Sequence, residues 1–254
     1  MSNRLANKVT VITGGNSGIG FGIAQEFQQE GAKGAIVGRN QETLDRSAAQ
    51  LGDNFIGIKA DVTQIADLER VFKTVADKFG KLDSLVVNAG GAVEAGIVGS
   101  VVGATEEHFE QTIDLNLKSV FFTVQKALPY MNDGASIVLV SSMVAHRAMP
   151  GLTVYGAAKA GVVSFARAFS HDLLERKIRV NVLSPGTIET PVFDKFGIPT
   201  EAIAQAKDDF ADLIPIKRIG QPSEMGRVAV FLASEDSSFM LGTEVLADGG
   251  VINL

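Results

Sequence analysis

The chain has 254 residues, 46% of them hydrophobic and 20% charged, which suits one large globular domain and excludes a disordered protein. A formal net charge of −6, a pI near 5.2 and no basic run argue against nucleic acid or an anionic membrane as the partner. There is no cysteine, so disulfides, thiolate zinc sites and a cysteine nucleophile are excluded.

The opening "MSNRLANKVTVITGG" has no long apolar core after its basic residues, so no signal peptide is expected and a cytoplasmic protein is. "VTVITGG" is a β-branched run ending in glycines, as a buried parallel strand should be. "IGFGIAQEFQQEG" predicts a helix closed by Gly31. "GAIVG" is a second strand, "NQETLDRSAAQLG" a helix with Asn40 as its N-cap, and "FIGIKADV" a third strand. The next helix carries an apolar stripe of Leu68, Val71, Phe72, Val75 and Phe79, with Thr63 as candidate N-cap and Gly80 as its end. "LDSLVVNAG", "SIVLVSS", "IRVNVLSPG" and "TEVLADGG" are further strands, separated by helical stretches around 106–131 and 155–176. The apolar stretch from Ser84 to Ala104 contains Asn88, Glu94 and many glycines, and reads as a strand and small-residue loop rather than a membrane span. Strands alternating with helices require crossovers, and crossovers give an α/β, doubly wound parallel sheet with helices on both faces. No linker or repeat divides it, so residues 1–254 are one domain, with a substrate lid expected around 191–215.

"TGGNSGIG", Thr13 to Gly20, sits between the first strand and the first helix. Gly14 permits a sharp turn, while Gly18 and Gly20 let backbone and helix approach a diphosphate at the helix N-terminus. The spacing has a wider first gap than G-x-G-x-x-G, and a tight turn with incidental glycines is the alternative. Its place after the first strand of an α/β chain favours a Rossmann-like nucleotide site built from Gly14, Asn16, Ser17, Gly18, Ile19 and Gly20. The second strand ends in Gly38, Arg39 and Asn40, with no acid to accept from a ribose 2′-hydroxyl. Arg39 can pair with a 2′-phosphate, so NADP(H) is expected over NAD(H). Asp61, followed by Val62, is placed to meet the adenine edge.

"TVYGAAKAG" puts Tyr155 and Lys159 four apart on one helix face, surrounded by small residues. An ammonium beside a phenol is expected to lower its pKa from about 10, which suits it to pass a proton to or from a substrate oxygen. The spacing alone is common on solvated helix faces. Its weight comes from accompanying segments: "ADV", "NAG" at 88–90, "LNLKSVFF" around Asn116, "VSS" at 140–142, "NVLSPGTIET" at 181–190 and "DGG" at 248–250. With these in order along essentially its whole length, the chain resembles the short-chain dehydrogenase/reductase family, in its short single-domain branch.

The resemblance implies that Tyr155 is the acid/base and that Lys159 binds the nicotinamide ribose and tunes Tyr155. Ser142, with Ser141 as the alternative, would bind the substrate oxygen. Asn116 would hold a water passing protons from Lys159 to solvent. Asn88, Ala89 and Gly90 would wall the cofactor, and Ile188 and Thr190, after Pro185 and Gly186, would meet the nicotinamide carboxamide. Many relatives have two asparagines before the Ala-Gly; here the first is Val87. A homotetramer is also implied, with the helices around 106–131 and 155–176 and the last strand at interfaces. His108, His146 and His171 are scattered and read as surface or loop residues, so no metal is expected. Met143, Val144, Met149, Leu152, Phe193, Phe196, Ile198 and Phe210 suggest an apolar pocket for a ketone or alcohol substrate, or simple packing of a lid. The expected activity is reduction of a ketone by NADPH and the reverse oxidation. The rival readings are a 3-oxoacyl-thioester reductase acting on acyl carrier protein and, in another class, a non-catalytic NADP(H)-binding regulator.

Overall fold

The computed structural model describes residues 3–91, 99–190 and 200–254. The strands are β1 (Val9–Thr13), β2 (Lys33–Gly38), β3 (Phe55–Lys59), β4 (Leu82–Val87), β5 (Met131–Val140), β6 (Arg179–Pro185) and β7 (Glu244–Ala247). The helices are α1 (Gly18–Gln29), α2 (Gln41–Leu51), α3 (Ile65–Phe79), α4 (Glu106–Ile113), α5 (Ser119–Ala127), α6 (Thr153–Asp172), α7 (Thr200–Leu213) and α8 (Pro222–Ala233). The sheet runs β3-β2-β1-β4-β5-β6-β7, and every pairing is parallel. The doubly wound α/β architecture expected from the alternation is therefore present.

Strand side chains alternate, so each central strand feeds two cores. Val11, Leu85, Ile137, Leu139 and Val182 face one core, which α3, α5 and α6 close with Phe72, Val124 and Val162. Ile12, Val86, Val138 and Leu183 face the other, closed by α1, α2 and α8 with Phe27, Leu44 and Val230. Successive crossovers leave β1 in one direction and β4 in the other. A crevice results at their carboxyl ends, where open α/β sheets bind ligands.

Three local expectations are corrected. Thr63 does not cap α3: Gln64 holds that position, and Thr63 donates its amide and hydroxyl to Asp61 instead. The stretch 106–131 is not one helix. A wide π-turn at Asp114–Lys118 separates α4 from α5, a 3-10 turn at Leu128–Tyr130 follows, and Met131 already begins β5. Pro129, which has no amide to donate, sits in that second turn. The stretch 155–176 starts earlier, at Thr153, and finishes as a 3-10 turn at Leu174–Arg176. Part of the expected lid, including Phe193, Phe196 and Ile198, lies outside the described residues; α7 accounts for its second half.

α1 and α8 cross so closely that glycine is required at the contact. A Cβ on Gly22 would lie 2.5 Å from Pro222 Cβ and 2.6 Å from its carbonyl carbon. One on Gly226 would meet Glu26 Cγ at 2.5 Å and the Gly22 carbonyl oxygen at 2.7 Å. Overpacking of this kind costs about 1–3 kcal/mol. Gly22→Ala should therefore lower unfolding stability by that amount, measured by urea denaturation, and a neutral result would mean that the two helices can slide apart.

Candidate active site

The glycine loop is shaped by close contacts that leave no room for side chains. Gly14 and Gly18 have φ of 65° and 52°, the left-handed region that favours glycine. A Cβ on Gly14 would sit 2.8 Å from Asn88 Nδ2 and 3.0 Å from Ala89 Cα, so the loop lies directly against the segment after β4. Asn88 fastens the two: its Nδ2 donates to the Thr13 carbonyl at 3.0 Å and to the Gly14 carbonyl at 3.3 Å. Thr13 Oγ1 accepts from the Asn88 and Ala89 amides at 3.0 and 3.1 Å. Thr13 was not among the expected site residues; a threonine ending a strand just before the glycines was the available signal. The amino end of α1, with Ser17 as N-cap and no side-chain cap bond, faces the crevice with its amides free to meet phosphate oxygens.

Asn16 turns from this loop towards α2, donating to Thr43 Oγ1 at 2.7 Å. Asn40 caps α2 by accepting from the Thr43 amide at 3.0 Å, so that side chain is already engaged. Arg39 is exposed at the end of β2 and makes no ion pair among the described residues. Asp61 uses one carboxylate oxygen for Thr63, and its amide is fixed by Asp67 at 2.8 Å. Val62 beside it is buried.

The second group assembles around the end of β5. Lys159, 3% exposed, projects from α6 and donates Nζ to the Val140 carbonyl at 2.9 Å. Its ammonium lies 5.6 Å from the centre of the Tyr155 ring. Ser142 is extended, and its hydroxyl accepts weakly from the Val144 amide at 3.4 Å. Asn116, fully buried in the π-turn, holds Gly91 from both sides: Oδ1 accepts from its amide at 2.9 Å and Nδ2 donates to its carbonyl at 3.0 Å. Nδ2 also donates to the Thr112 carbonyl at 3.0 Å. A Cβ on Gly90 would be 2.9 Å from Asn116 Oδ1 and 3.3 Å from Lys159 Nζ, so these three residues meet at one point.

Pro185, Gly186 and Ile188 run on from β6. Gly186 donates its amide to the Ala247 carbonyl at 3.0 Å, and Glu189 donates to the Gly220 carbonyl at 2.8 Å. Ile188 is 6% exposed and its side chain packs into the core. Thr190 is half-buried at the edge of the described residues. A cavity of about 420 Å³ lies behind this segment, lined by Ile188, Ile214, Ile216, Met225 and Leu246. It includes none of Ser142, Tyr155 and Lys159 and is separate from the chemistry.

Comparison with known proteins agrees with this geometry. The family described as Enoyl-(Acyl carrier protein) reductase matches residues 14–252. The oxidoreductase asL5 of Sarocladium schorii is 43% identical, covering 99% of this chain and 98% of its own. The 3-oxoacyl-[acyl-carrier-protein] reductase FabG of Thermotoga maritima is 38% identical, covering 98% and 99%. A Brucella melitensis structure titled short-chain dehydrogenase/reductase, glucose/ribitol dehydrogenase, superposes with a TM-score of 0.90 at 35% identity, covering 99% of both chains. The chain belongs to the short-chain dehydrogenase/reductase family.

Membership in the short-chain dehydrogenase/reductase family makes the protein an oxidoreductase for CH–OH and C=O groups with a nicotinamide cofactor. The residues present fit such a group. The loop after β1 admits no Cβ at Gly14 or Gly20, the α1 amides face the crevice, and Lys159 Nζ stands beside Gly90 at its inner end. Among the described residues no helix is long and apolar enough to cross a membrane, and no three His, Asp or Glu side chains are grouped to hold a metal ion. His146, after β5, and His171, on α6, are exposed as expected, with His146 paired to Glu244 at 2.8 Å; His108 on α4 is half-buried, with its Nδ1 buried.

Electrostatics in this short-chain dehydrogenase/reductase corrects one expectation. Burial pushes the Tyr155 phenol up to about 12, against a smaller downward pull from the Ser142 hydroxyl. Tyr155 is half-buried and keeps some contact with solvent, which tempers the rise. Burial pushes Lys159 down to about 8. In the protein by itself, loss of water around the phenol sets the direction, while the Lys159 ammonium donates to the Val140 carbonyl. The lysine shift bears on stability. Folding depresses the Lys159 pKa from 10.5 to about 8, so the charged form costs the folded state on the order of 3 kcal/mol at neutral pH. That cost is relieved as pH rises from about 8 to 10.5, because the unfolded chain then holds the extra proton. Lys159→Met should thus melt higher than the parent at pH 7, with the gap narrowing across that window; a gap independent of pH would contradict the buried charge.

Proposed function

We propose that the protein is an NADP(H)-dependent carbonyl reductase that also oxidises secondary alcohols. The convergence of Ser142, Tyr155 and Lys159 at the end of β5, beside Gly90 and Asn116, carries the reading. When bound, the nicotinamide supplies or accepts a hydride at its C4. In this reading Tyr155 donates its proton to the ketone oxygen as the carbon is reduced, and takes it back in the reverse direction. A phenol pushed up by burial is protonated throughout the neutral range and is ready to donate. Ser142 donates a hydrogen bond to the same oxygen and holds the carbonyl in line. Lys159 binds the nicotinamide ribose and, near its pKa of about 8, can return a proton to Tyr155. Asn116 spends both Nδ2 protons and one Oδ1 lone pair on protein, which leaves one lone pair to hold the water of a proton path.

Arg39 supports NADP(H) over NAD(H): it is exposed and unpaired among the described residues, and no carboxylate ends β2. The substrate in this reading is a medium or bulky apolar ketone, or the matching alcohol, bordered by Met143, Val144, Met149, Leu152 and α7, and the enzyme works in the cytoplasm. Assembly as a homotetramer is supported by Phe121, 38% exposed beside the stacked Phe165 and Phe169, and by the open edge of β7.

A second reading, reduction of 3-oxoacyl thioesters on acyl carrier protein, is favoured by the FabG relative at 38% identity. The cations near the expected pocket mouth count against it. Lys207 pairs with Glu189 and Arg218 pairs with Glu224, so two of these cations are already matched by carboxylates.

NADPH and NADH oxidation, followed side by side over aliphatic and aromatic ketones and an acetoacetyl thioester, tests these points. NADPH should be preferred, Tyr155→Phe should lower kcat about 10²–10⁴-fold, and Arg39→Asp should shift preference towards NADH. Turnover retained by Tyr155→Phe would remove the mechanism, and an NADH preference in the parent would remove the role of Arg39. Cofactor binding without any turnover would instead favour the regulator. Light scattering should give a mass of about four chains at micromolar protein, lowered by Phe121→Asp; a monomeric parent would contradict the assembly.

A further inference from the structure

We propose that Ser141 is a positioning residue for Lys159, and that the end of β5 holds this lysine at two points. The proposal rests on the acid–base reading of Tyr155 and Lys159 given above. The first point is the Ser141 hydroxyl, which donates to the Lys159 backbone carbonyl at 2.8 Å. The second is the Val140 carbonyl, which accepts the Lys159 ammonium at 2.9 Å. Adjacent residues of one strand thus grip both ends of a single lysine, and the next residue along is Ser142.

Strand alternation explains why Ser141 reaches α6. Ile137 and Leu139 face the core that α6 closes, and Ser141 continues their row one step past the end of β5. It is 4% exposed, and its own amide donates to the Leu183 carbonyl at 2.9 Å, extending the β5–β6 ladder by one residue. The anchor is therefore as fixed as the sheet.

Ser136, buried on the same strand, has a plain structural reason for its bond. Ser136 donates to the carbonyl of Ala233, the last residue of α8, where a helix leaves carbonyls without partners. Lys159 lies inside α6, where its carbonyl is already served within the helix. The Ser141 bond is not needed to satisfy that carbonyl, and an alanine at 141 would leave no unpaired group behind. What the bond does is fix the Lys159 backbone relative to Ser142. The long lysine side chain then moves from a fixed root, with Val140 holding its ammonium beside Gly90 and Asn116. A displacement of about 1 Å in such a constellation can cost about 10²-fold in rate.

Ser141→Ala, Ser141→Thr and Ser141→Cys would be purified and compared with the parent, with Lys159→Met and Tyr155→Phe alongside. Rates would be taken at saturating cofactor on the best ketone, with melting temperatures recorded for each. Ser141→Ala should fold and lose about 10–100-fold in kcat, with substrate KM held within about twofold. The threonine, which keeps a hydroxyl, should recover most of the loss. The cysteine, of similar shape but a weak donor, should fall between and covers the case in which alanine does not fold. Parent-like kcat in the alanine or cysteine variant overturns the proposal, even if melting falls, because Ser141 would then be only a staple. A folded threonine variant as slow as alanine overturns it too. Full turnover in Lys159→Met or Tyr155→Phe would instead overturn the acid–base reading itself. Loss of turnover there with a normal Ser141→Ala removes the clamp alone.

Discussion

Everything in this molecule depends on how the carboxyl ends of β1 and β4 are fastened side by side. Parallel pairing of Val11 with Leu85 and Thr13 with Val87 brings the two strands together. The crossovers then leave in opposite directions, and the space above belongs to neither. Asn88 and Ala89 keep that space in shape by donating four hydrogen bonds to Thr13 and Gly14. These are bonds between backbone and short side chains, so the crevice is set by the sheet rather than by mobile surface groups. The glycine loop can press against the β4 segment because nothing larger than hydrogen stands between them.

The proposed reaction centre uses the same construction one strand over. Ser141 and Ser142 follow β5 directly, Lys159 is held by that strand's last carbonyl, and Tyr155 is one helical turn earlier on α6. Asn116 comes from a third element, yet it too is tied to the sheet, because it grips the Gly91 backbone beyond β4. Burial has two effects here. It fixes the groups, and it moves both titrating side chains towards their neutral forms.

Much of this could be read from residue order alone. β-branched runs ending in glycine gave the strands, since buried parallel strands need no polar face. The Tyr155–Lys159 spacing gave a shared helical face. What was hidden depended on geometry that sequence does not carry. The π-turn at Asp114–Lys118 adds a residue to one turn, and the apolar pattern of 106–131 tolerates it without a break in composition. Thr63 resembled an N-cap, but Asp61 competes for its hydroxyl. A charge four residues from Tyr155 is visible in sequence, whereas the burial that pushes its phenol up is not. The Ser141 bond was invisible because it joins a strand end to a carbonyl eighteen residues away.

The crossing of α1 and α8 has a consequence for synthesis of the chain. α1 follows directly on the glycine loop, yet Gly22 packs on Pro222, about two hundred residues later in translation. Until α8 has been made, the back of α1, with Ile23 and Phe27, has lost one of its covers. An apolar helix face waiting for a late partner is open to aggregation. A nascent chain of this fold thus carries α1 half-covered through most of its synthesis.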